Sequence, residues 1–320
     1  MACYVVTGGA GFIGSHIVRR LAADGHEVRA VDNLATGHAE NLNDLREAVK
    51  LIEGSVLDAA LLRRAFKSAE VVFHQAALAS VQRSVQDPLT TNRVNVEGTL
   101  QVLEAARACG VRRVVYASSS SVYGNLAVLP KREDLTPAPE SPYAVSKLVG
   151  ELYCRNYTRL FSLETVSLRY FNVFGPWQDP ESQYAAVVPI FVKALLSGRS
   201  PTVFGDGEQS RDFTYVDNVV EANTLAASAP GAAGMAFNVG CGARYTLNEL
   251  LGALRDIIGA DVEATYADER PGDVKHSQAD ISRAQQILGY EPRVGLREGL
   301  KRTVAWYQTQ RSGGHGRARS

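Results

Sequence analysis

Cys3-Tyr4-Val5-Val6-Thr7-Gly8-Gly9-Ala10-Gly11-Phe12-Ile13-Gly14 is a short apolar run that ends in a glycine turn, and a helical pattern over 15–23 follows it. Strand, glycine turn and helix, in that order, are what a dinucleotide site requires. Glycines let the backbone turn tightly and approach a pyrophosphate, and the helix N-terminus offers it unpaired N–H groups. Gly8, Gly11, Phe12, Ile13 and Gly14 are therefore the first candidate cofactor contacts, in a Gly-x-x-Gly-x-x-Gly spacing rather than Gly-x-Gly-x-x-Gly. The next apolar run, Glu27-Val28-Arg29-Ala30-Val31, ends in Asp32 and Asn33 at the spacing expected of a ribose-binding acid. A carboxylate there accepts hydrogen bonds from two ribose hydroxyls and repels a 2′-phosphate. The expected cofactor is NAD, not NADP.

Further strand candidates are Val49-Lys50-Leu51-Ile52-Glu53, Val71-Val72-Phe73-His74, Arg113-Val114-Val115-Tyr116-Ala117 and Thr165-Val166-Ser167-Leu168-Arg169. Between them apolar residues recur at helical intervals, as at Leu100, Leu103 and Ala106 within 95–109. Alternating strands and helices argue for an α/β fold, a doubly wound parallel sheet of the Rossmann type covered on both faces. The expected nucleotide-binding domain is 1–175, with strands contributed from later chain. Beyond it Pro176, Pro180, Pro189 and Pro201 punctuate shorter elements, and pieces such as Ala236-Phe237-Asn238-Val239 and 247–258 are assigned to a smaller mixed α/β substrate lobe over 176–310. Residues 311–320 lack apolar anchors and read as a disordered tail.

The chain has 320 residues, 45% hydrophobic and 21% charged, the composition of an ordinary soluble globular protein. Its 34 basic and 34 acidic residues leave no net charge, so no overall field invites nucleic acid or an anionic membrane. An anionic ligand must be held by local groups. Cys3, Cys109, Cys154 and Cys241 show neither metal spacing nor disulfide density, and free thiols, no metal and a cytoplasmic location are expected. No apolar run is long enough to span a bilayer.

Tyr143-Ala144-Val145-Ser146-Lys147 places a tyrosine and a lysine four residues apart on a predicted helix, hence on one face. An ammonium there favours the ionised phenol. Lowering a tyrosine pKa by roughly three units from about 10 takes about 4 kcal/mol of differential stabilisation. Upstream, Ala117-Ser118-Ser119-Ser120-Ser121-Val122-Tyr123-Gly124 follows a predicted strand at the ligand edge of the sheet, where a hydroxyl could share a proton with Tyr143.

With the glycine turn, Asp32, the serines and the Tyr143–Lys147 pair in this order, the chain resembles the extended short-chain dehydrogenase/reductase family, and within it nucleotide-sugar 4-epimerases acting on UDP-hexoses. The resemblance runs from about Tyr4 to Tyr307 and includes Arg169-Tyr170-Phe171-Asn172-Val173-Phe174-Gly175-Pro176, Ser210-Arg211-Asp212-Phe213-Thr214-Tyr215-Val216-Asp217 and Arg270-Pro271-Gly272-Asp273. It implies that Tyr143 is the base, that Lys147 binds the nicotinamide ribose and lowers the tyrosine pKa, and that Ser119 holds the reacting 4-hydroxyl, with Ser120 beside it. It also implies cofactor contacts at Ala76, Ala77, Leu78, Asn95 and Tyr170, and at Ser55 and Val56. Ser55 stands where the family often has an acid against the adenine. For the substrate, the resemblance assigns Asn172, Arg211 and Arg270 to the diphosphate, and Ala186, Val187, Thr202 and Phe204 to the nucleotide end. Asp273 would meet its ribose, and Ser80 would border the sugar. The implied reaction is a reversible oxidation of sugar carbon 4, with a 4-keto sugar that turns over in the pocket.

Ser277 stands where a bulky residue in this family can close the pocket beside the sugar 2-substituent. A small side chain leaves space for an N-acetyl group, so UDP-GlcNAc and UDP-GalNAc are the expected substrates, with UDP-glucose as a further one. The nearest rival is a UDP-glucuronate 4-epimerase, which often has arginine just after the Gly-Pro where this chain has Trp177. A non-catalytic NAD-binding regulatory protein is the rival of another class. Many relatives are homodimers through two helices, here 88–109 and 142–161, and a homodimer is expected.

Overall fold

The computed structural model describes residues 2–179, 186–269 and 274–313. Six strands, β1 (Cys3–Thr7), β2 (Glu27–Asp32), β3 (Val49–Glu53), β4 (Val71–His74), β5 (Arg113–Ser119) and β6 (Glu164–Tyr170), follow one another through the first half of the chain. The short strands β7 (Val173–Phe174), β8 (Thr202–Phe204), β9 (Ser210–Arg211) and β10 (Thr214–Tyr215) lie outside the main sheet, and β11 (Met235–Val239) returns to it. The last strands, β12 (Tyr245–Thr246) and β13 (Thr265–Ala267), pair with β9 and β8. The main sheet is parallel throughout, in the order β11-β6-β5-β4-β1-β2-β3. Strand order therefore reverses between β1 and β4. Loops leaving these two strands diverge and open a crevice at their C-terminal ends.

Ten α-helices accompany the strands among the described residues: α1 (Phe12–Ala23), α2 (Ala59–Phe66), α3 (Val81–Gln86), α4 (Pro88–Asn92), α5 (Gly98–Ala108), α6 (Pro142–Phe161), α7 (Val187–Leu196), α8 (Val216–Ser228), α9 (Leu247–Ile258) and α10 (Leu296–Gly313). Ile17 and Leu21 of α1 and Val219 and Ala226 of α8 pack on one face of the sheet. Phe66 of α2, Leu103 of α5 and Tyr157 of α6 pack on the other. A third core joins Phe191, Leu254 and Leu300 from α7, α9 and α10 and forms the smaller lobe. Each large apolar side chain buried in these cores contributes about 1.5–3 kcal/mol.

Local chemistry fixes where α6 begins. Ser141 caps it by accepting a hydrogen bond from the Ala144 N–H at 3.1 Å, and Pro142, which has no N–H to satisfy, occupies its first turn. Tyr143 and Lys147 thus lie on its first two turns. The expected helix over 95–109 begins instead as a π-helical turn, Arg93–Glu97, before α5. Two assignments need correction. Ala236–Val239 belongs to the main sheet and not to the smaller lobe, because β11 pairs with β6 from Met235↔Val166 to Val239↔Tyr170. The final helix α10 extends through Gly313, past the boundary expected at residue 310, and the rest of the expected tail lies outside the described residues.

His74, at the end of β4, is buried between two threonines. Its Nδ1 is 2.7 Å from Thr7 Oγ1 and its Nε2 is 3.0 Å from Thr99 Oγ1. Thr99 donates to the Asn95 carbonyl, so it accepts from Nε2–H, and Thr7 donates to an unprotonated Nδ1. Burial and the nearby Lys147 charge hold the His74 pKa down to about 3. Burial likewise lowers His16 to about 4. Both rings are neutral in the folded protein and protonate in the unfolded chain below its ordinary value of about 6.5. Stability is therefore full above pH 6.5 and is lost as pH falls from there towards 4, at up to about 1.4 kcal/mol per pH unit for each ring. Urea unfolding between pH 7.5 and 5 should show this decline, and His74→Gln should remove about one proton from its slope.

Candidate active site

At the strand-order reversal lies a cavity of about 430 Å³. Gly8, Gly11, Phe12, Ile13, Gly14, Asp32, Asn33, Ser55, Val56, Ala76, Ala77, Leu78, Tyr143, Lys147 and Tyr170 all line it. The glycine turn leaves no room for side chains. Gly8 has φ +71°, and a Cβ there would be 2.7 Å from the Ala76 nitrogen; a Cβ on Gly14 would be 2.0 Å from the Gly8 carbonyl oxygen. Gly11, the N-cap of α1, brings no side chain to the first N–H groups, so they remain available to a ligand phosphate. Asp32 is buried and accepts from the Ala10 and Leu34 N–H groups at 3.0 and 2.9 Å. Ser55 folds its hydroxyl back to accept from the Leu57 N–H at 3.2 Å. An elongated cradle of backbone donors with a buried carboxylate at one end fits a dinucleotide with free ribose hydroxyls.

Asn95 does not line this cavity. It stands behind the wall, where its side chain accepts from the Leu78 N–H at 2.8 Å and donates to the Leu78 carbonyl and Ser146 Oγ at 3.2 and 3.0 Å. Its place is to tie the Ala76–Leu78 wall to α6. Sequence reading missed Gln75, which lines the cavity and shares a hydrogen-bond set with Tyr170 OH and Asn223. No motif flagged Asn223, because it comes from α8 and meets Tyr170 only after β6 and α8 pack together.

Tyr143 stands where this cavity meets a second one of about 580 Å³. Burial raises the Tyr143 pKa above its ordinary value, and the nearby Ser119 hydroxyl opposes the rise. The Lys147 ammonium lies 5.9 Å from the Tyr143 ring centroid and donates to the Ala117 carbonyl at 2.8 Å. Burial lowers its own pKa to about 8. In the protein alone, then, Ser119 rather than Lys147 opposes the upward shift at Tyr143, a difference from the sequence expectation. The cause is that the ammonium is drawn to a carbonyl of β5.

The second cavity is lined by Ser80, Ser119, Ser120, Tyr143, Asn172, Arg211 and Ser277, all expected substrate contacts, and by Lys131 and Glu140, which were not anticipated. Asn172, held at φ +27°, donates to the Asp212 carbonyl at 3.2 Å. The Asp212 carboxylate ties this wall together by accepting from the N–H groups of Cys241, Gly242 and Ala279 at 2.8, 3.0 and 3.1 Å. Its burial pushes its pKa up to about 6. Through it, the strand carrying Arg211 is joined to the segment carrying Ser277.

Several expected contacts fall elsewhere. Ala186, Val187 and Thr202 line neither cavity, and Phe204 borders a separate cleft of about 70 Å³ with Val274 and Lys275. The short strand β8 pairs with β13 at the lobe's edge, which aims Thr202 outward. Arg270 and Asp273, with Pro180 and 184–185, lie outside the described residues. Trp177 also departs from expectation: its ring packs on Arg19 at 4.3 Å, His16 at 4.9 Å and Trp306 at 5.9 Å, and it lines neither cavity.

A twofold-walled cavity pair at the ligand edge of a doubly wound sheet defines a dinucleotide-dependent enzyme. The NAD dependent epimerase/dehydratase family model matches residues 4–240, and the chain belongs to that family; its cofactor is NAD. It is 44% identical over 311 residues to the UDP-glucose 4-epimerase of Mycolicibacterium smegmatis, covering 96% of this chain and 98% of that protein. Among solved structures it is similar to the UDP-N-acetylglucosamine 4-epimerase of Methanobrevibacter ruminantium in complex with UDP-N-acetylmuramic acid, at 43% identity and a TM-score of 0.93, covering 97% and 99% of the two chains. It is also similar to the Thermus thermophilus UDP-glucose 4-epimerase in complex with NAD, at 40% identity and a TM-score of 0.88, covering 96% and 99%.

Because a Cβ at position 14 would strike the Gly8 carbonyl, Gly14→Ala should displace the glycine turn that lines the cofactor cavity. NAD affinity, measured by calorimetry, should fall at least about tenfold, a loss of about 1.4 kcal/mol.

Proposed function

We propose that the protein is a 4-epimerase of UDP-sugars that interconverts UDP-GlcNAc with UDP-GalNAc, and UDP-glucose with UDP-galactose, through a 4-keto intermediate. The observation that carries this reading is the place of Tyr143: sharing a cavity wall with Ser119, it stands where the cofactor cavity meets a second cavity walled by Asn172, Arg211 and the small Ser277.

Tyr143 takes the proton of the sugar 4-hydroxyl, and Ser119 orients that hydroxyl. Bound NAD supplies a reversible acceptor for the electron pair of carbon 4. Lys147 orients the cofactor ribose and adds positive charge beside the phenol once a ligand competes with Ala117 for its ammonium. Gly8, Gly11 and Gly14 admit the pyrophosphate, Asp32 the adenosine ribose, and Ser55 and Val56 the adenine. Asn172 and Arg211 hold the substrate diphosphate, an arginine fork suiting phosphate oxygens. Arg270 and Asp273 are proposed to complete the nucleotide end, with Phe204 beside it. In this reading the second cavity, of about 580 Å³, has to give the keto sugar room to turn while bound substrate and cofactor exclude water.

Ser277 is buried and small, and that leaves space beside the sugar for an acetamido group. One observation favours a UDP-glucuronate reading instead: Lys131, buried on the wall of the same cavity and donating to the Leu126 carbonyl, is a cation that a sugar carboxylate would meet. Trp177 does not argue on this point, since its ring faces away.

Incubating the purified protein, without added NAD, with UDP-GlcNAc, UDP-glucose and UDP-glucuronate separately and following sugar protons by NMR tests both readings. UDP-GalNAc should appear. Tyr143→Phe should slow turnover by at least about 1,000-fold with UDP still bound, and Ser277→Tyr should cost the acetylated sugar more than the plain one. Conversion of glucuronate alone would overturn the choice of sugar, and unimpaired Tyr143→Phe would overturn the mechanism.

A second copy of the chain is the proposed partner. Leu89, Val145 and Leu152 are exposed on α4 and α6, 82%, 46% and 43% respectively, on the segments expected to pair, and Val85 of the neighbouring α3 is 64% exposed. Light scattering should give the mass of a dimer, and Leu89→Glu should shift it towards the monomer. A monomeric parent would refute the pairing. A cytoplasmic location is proposed with it, on the strength of four free thiols, and no described helix is long and apolar enough to cross a membrane.

A further inference from the structure

Behind the reacting hydroxyls, two successive residues of β5 bond to two residues of α6 one helical turn apart. The Ala117 carbonyl accepts from Lys147 Nζ at 2.8 Å, and the Ser118 hydroxyl donates to Glu151 Oε1 in a short hydrogen bond. Residues four apart share a helix face, so the two rungs lie along one line of α6. A single rung would leave the helix free to pivot on the strand. Two rungs stop both sliding and rotation.

What they hold in register is the reacting pair. Ser119 is the next residue of β5, and Tyr143 lies one turn before Lys147 on the same helix. The second rung depends on a buried charge. Glu151 is paired with Arg169 of β6, which donates from Nε to Oε1 at 2.9 Å and from Nη2 to Oε2 at 2.7 Å. Ser118, Glu151 and Arg169 are all buried, and a carboxylate there needs that guanidinium to stay charged. Arg169 in turn donates to Tyr123 OH at 2.8 Å, and Tyr123 donates to Asn238 at 2.7 Å. Arg169 also directly precedes Tyr170, which lines both cavities.

We propose that Glu151, through Ser118, is a positioning residue of the reaction: its hydrogen bond completes the register of α6 on β5 and so keeps the Tyr143 hydroxyl against Ser119. The inference rests on the reading of Tyr143 as the base. Because the Ser119 hydroxyl opposes the burial-driven rise of the Tyr143 pKa, loosening the register raises that pKa further, and the rising limb of the pH profile moves to higher pH.

Glu151→Ala strands Arg169 and threatens folding, so the decisive variant is Ser118→Ala, which leaves the ion pair intact. In the UDP-sugar assay its kcat at pH 7 should fall about tenfold and its rising limb should move up by about one pH unit. KM and retained NAD should stay within about twofold of the parent. Tyr123→Phe removes a distant partner of the same network and should leave kcat within about twofold. A folded Ser118→Ala protein with parental kcat and pH profile overturns the proposal, as does an equal loss in Tyr123→Phe, which would mark a general effect of the network. Tyr143→Phe, assayed alongside, separates the two failures: if that variant still turns over, the reading of the base has failed and not the register alone.

Discussion

The Lys147 ammonium sits in a place almost without water, held by one carbonyl at the end of β5 and by the faces of Tyr116 and Tyr143, 5.2 and 5.9 Å from their ring centroids. An ammonium cannot be buried without such partners. Its position therefore constrains everything around it: α6 must begin at Ser141 to bring Lys147 to that carbonyl, Tyr143 must then face the crevice, and His74 on the neighbouring strand must remain neutral. The same constraint explains why this lysine does little for Tyr143 in the protein alone. Its charge is directed to β5, and burial leaves both groups closer to their neutral forms than they would be in water.

A protein with no net charge has to bind anions through local arrangements, and the two cavities offer two kinds. In the cofactor cavity the candidate donors are backbone N–H groups exposed by glycines, rigid because a Cβ on Gly8 or Gly14 would strike the neighbouring backbone. In the second cavity the candidates are side chains, Asn172 just before the short strand β7 and Arg211 on the short strand β9, and their placement depends on a joint. That joint is Asp212, fully buried, gathering three N–H groups from two segments. One end is thus built from a single local turn and the other from pieces brought together late in the chain.

That difference sets what could be read in advance. The glycine turn, Asp32 and the pair Tyr143 and Lys147 are each specified by neighbours within a few residues, and they line the cavity as expected. Asn95, within the π-helical turn, bonds to the Leu78 backbone behind the cavity wall, a long-range contact that its own neighbours in sequence do not specify. Thr202 was misplaced because its strand is too short for the alternation of faces to be decided by its own sequence. Ala236–Val239 read as part of a separate lobe because nothing local distinguishes a strand that joins a distant parallel sheet from one that pairs with its neighbours.

From the sequence by itself came the sheet class, the order of its first strands, the dinucleotide turn and the helix that carries Tyr143, because periodicity, glycine spacing and capping are local and act before any long-range contact forms. Tertiary structure alone decided the seventh strand, the meeting of the two cavities at Tyr143, the outward face of Trp177 and the buried set Ser118, Glu151, Arg169 and Tyr123. Those residues come from separate elements, and a buried charge finds its partner by packing in three dimensions, which spacing along a chain does not record.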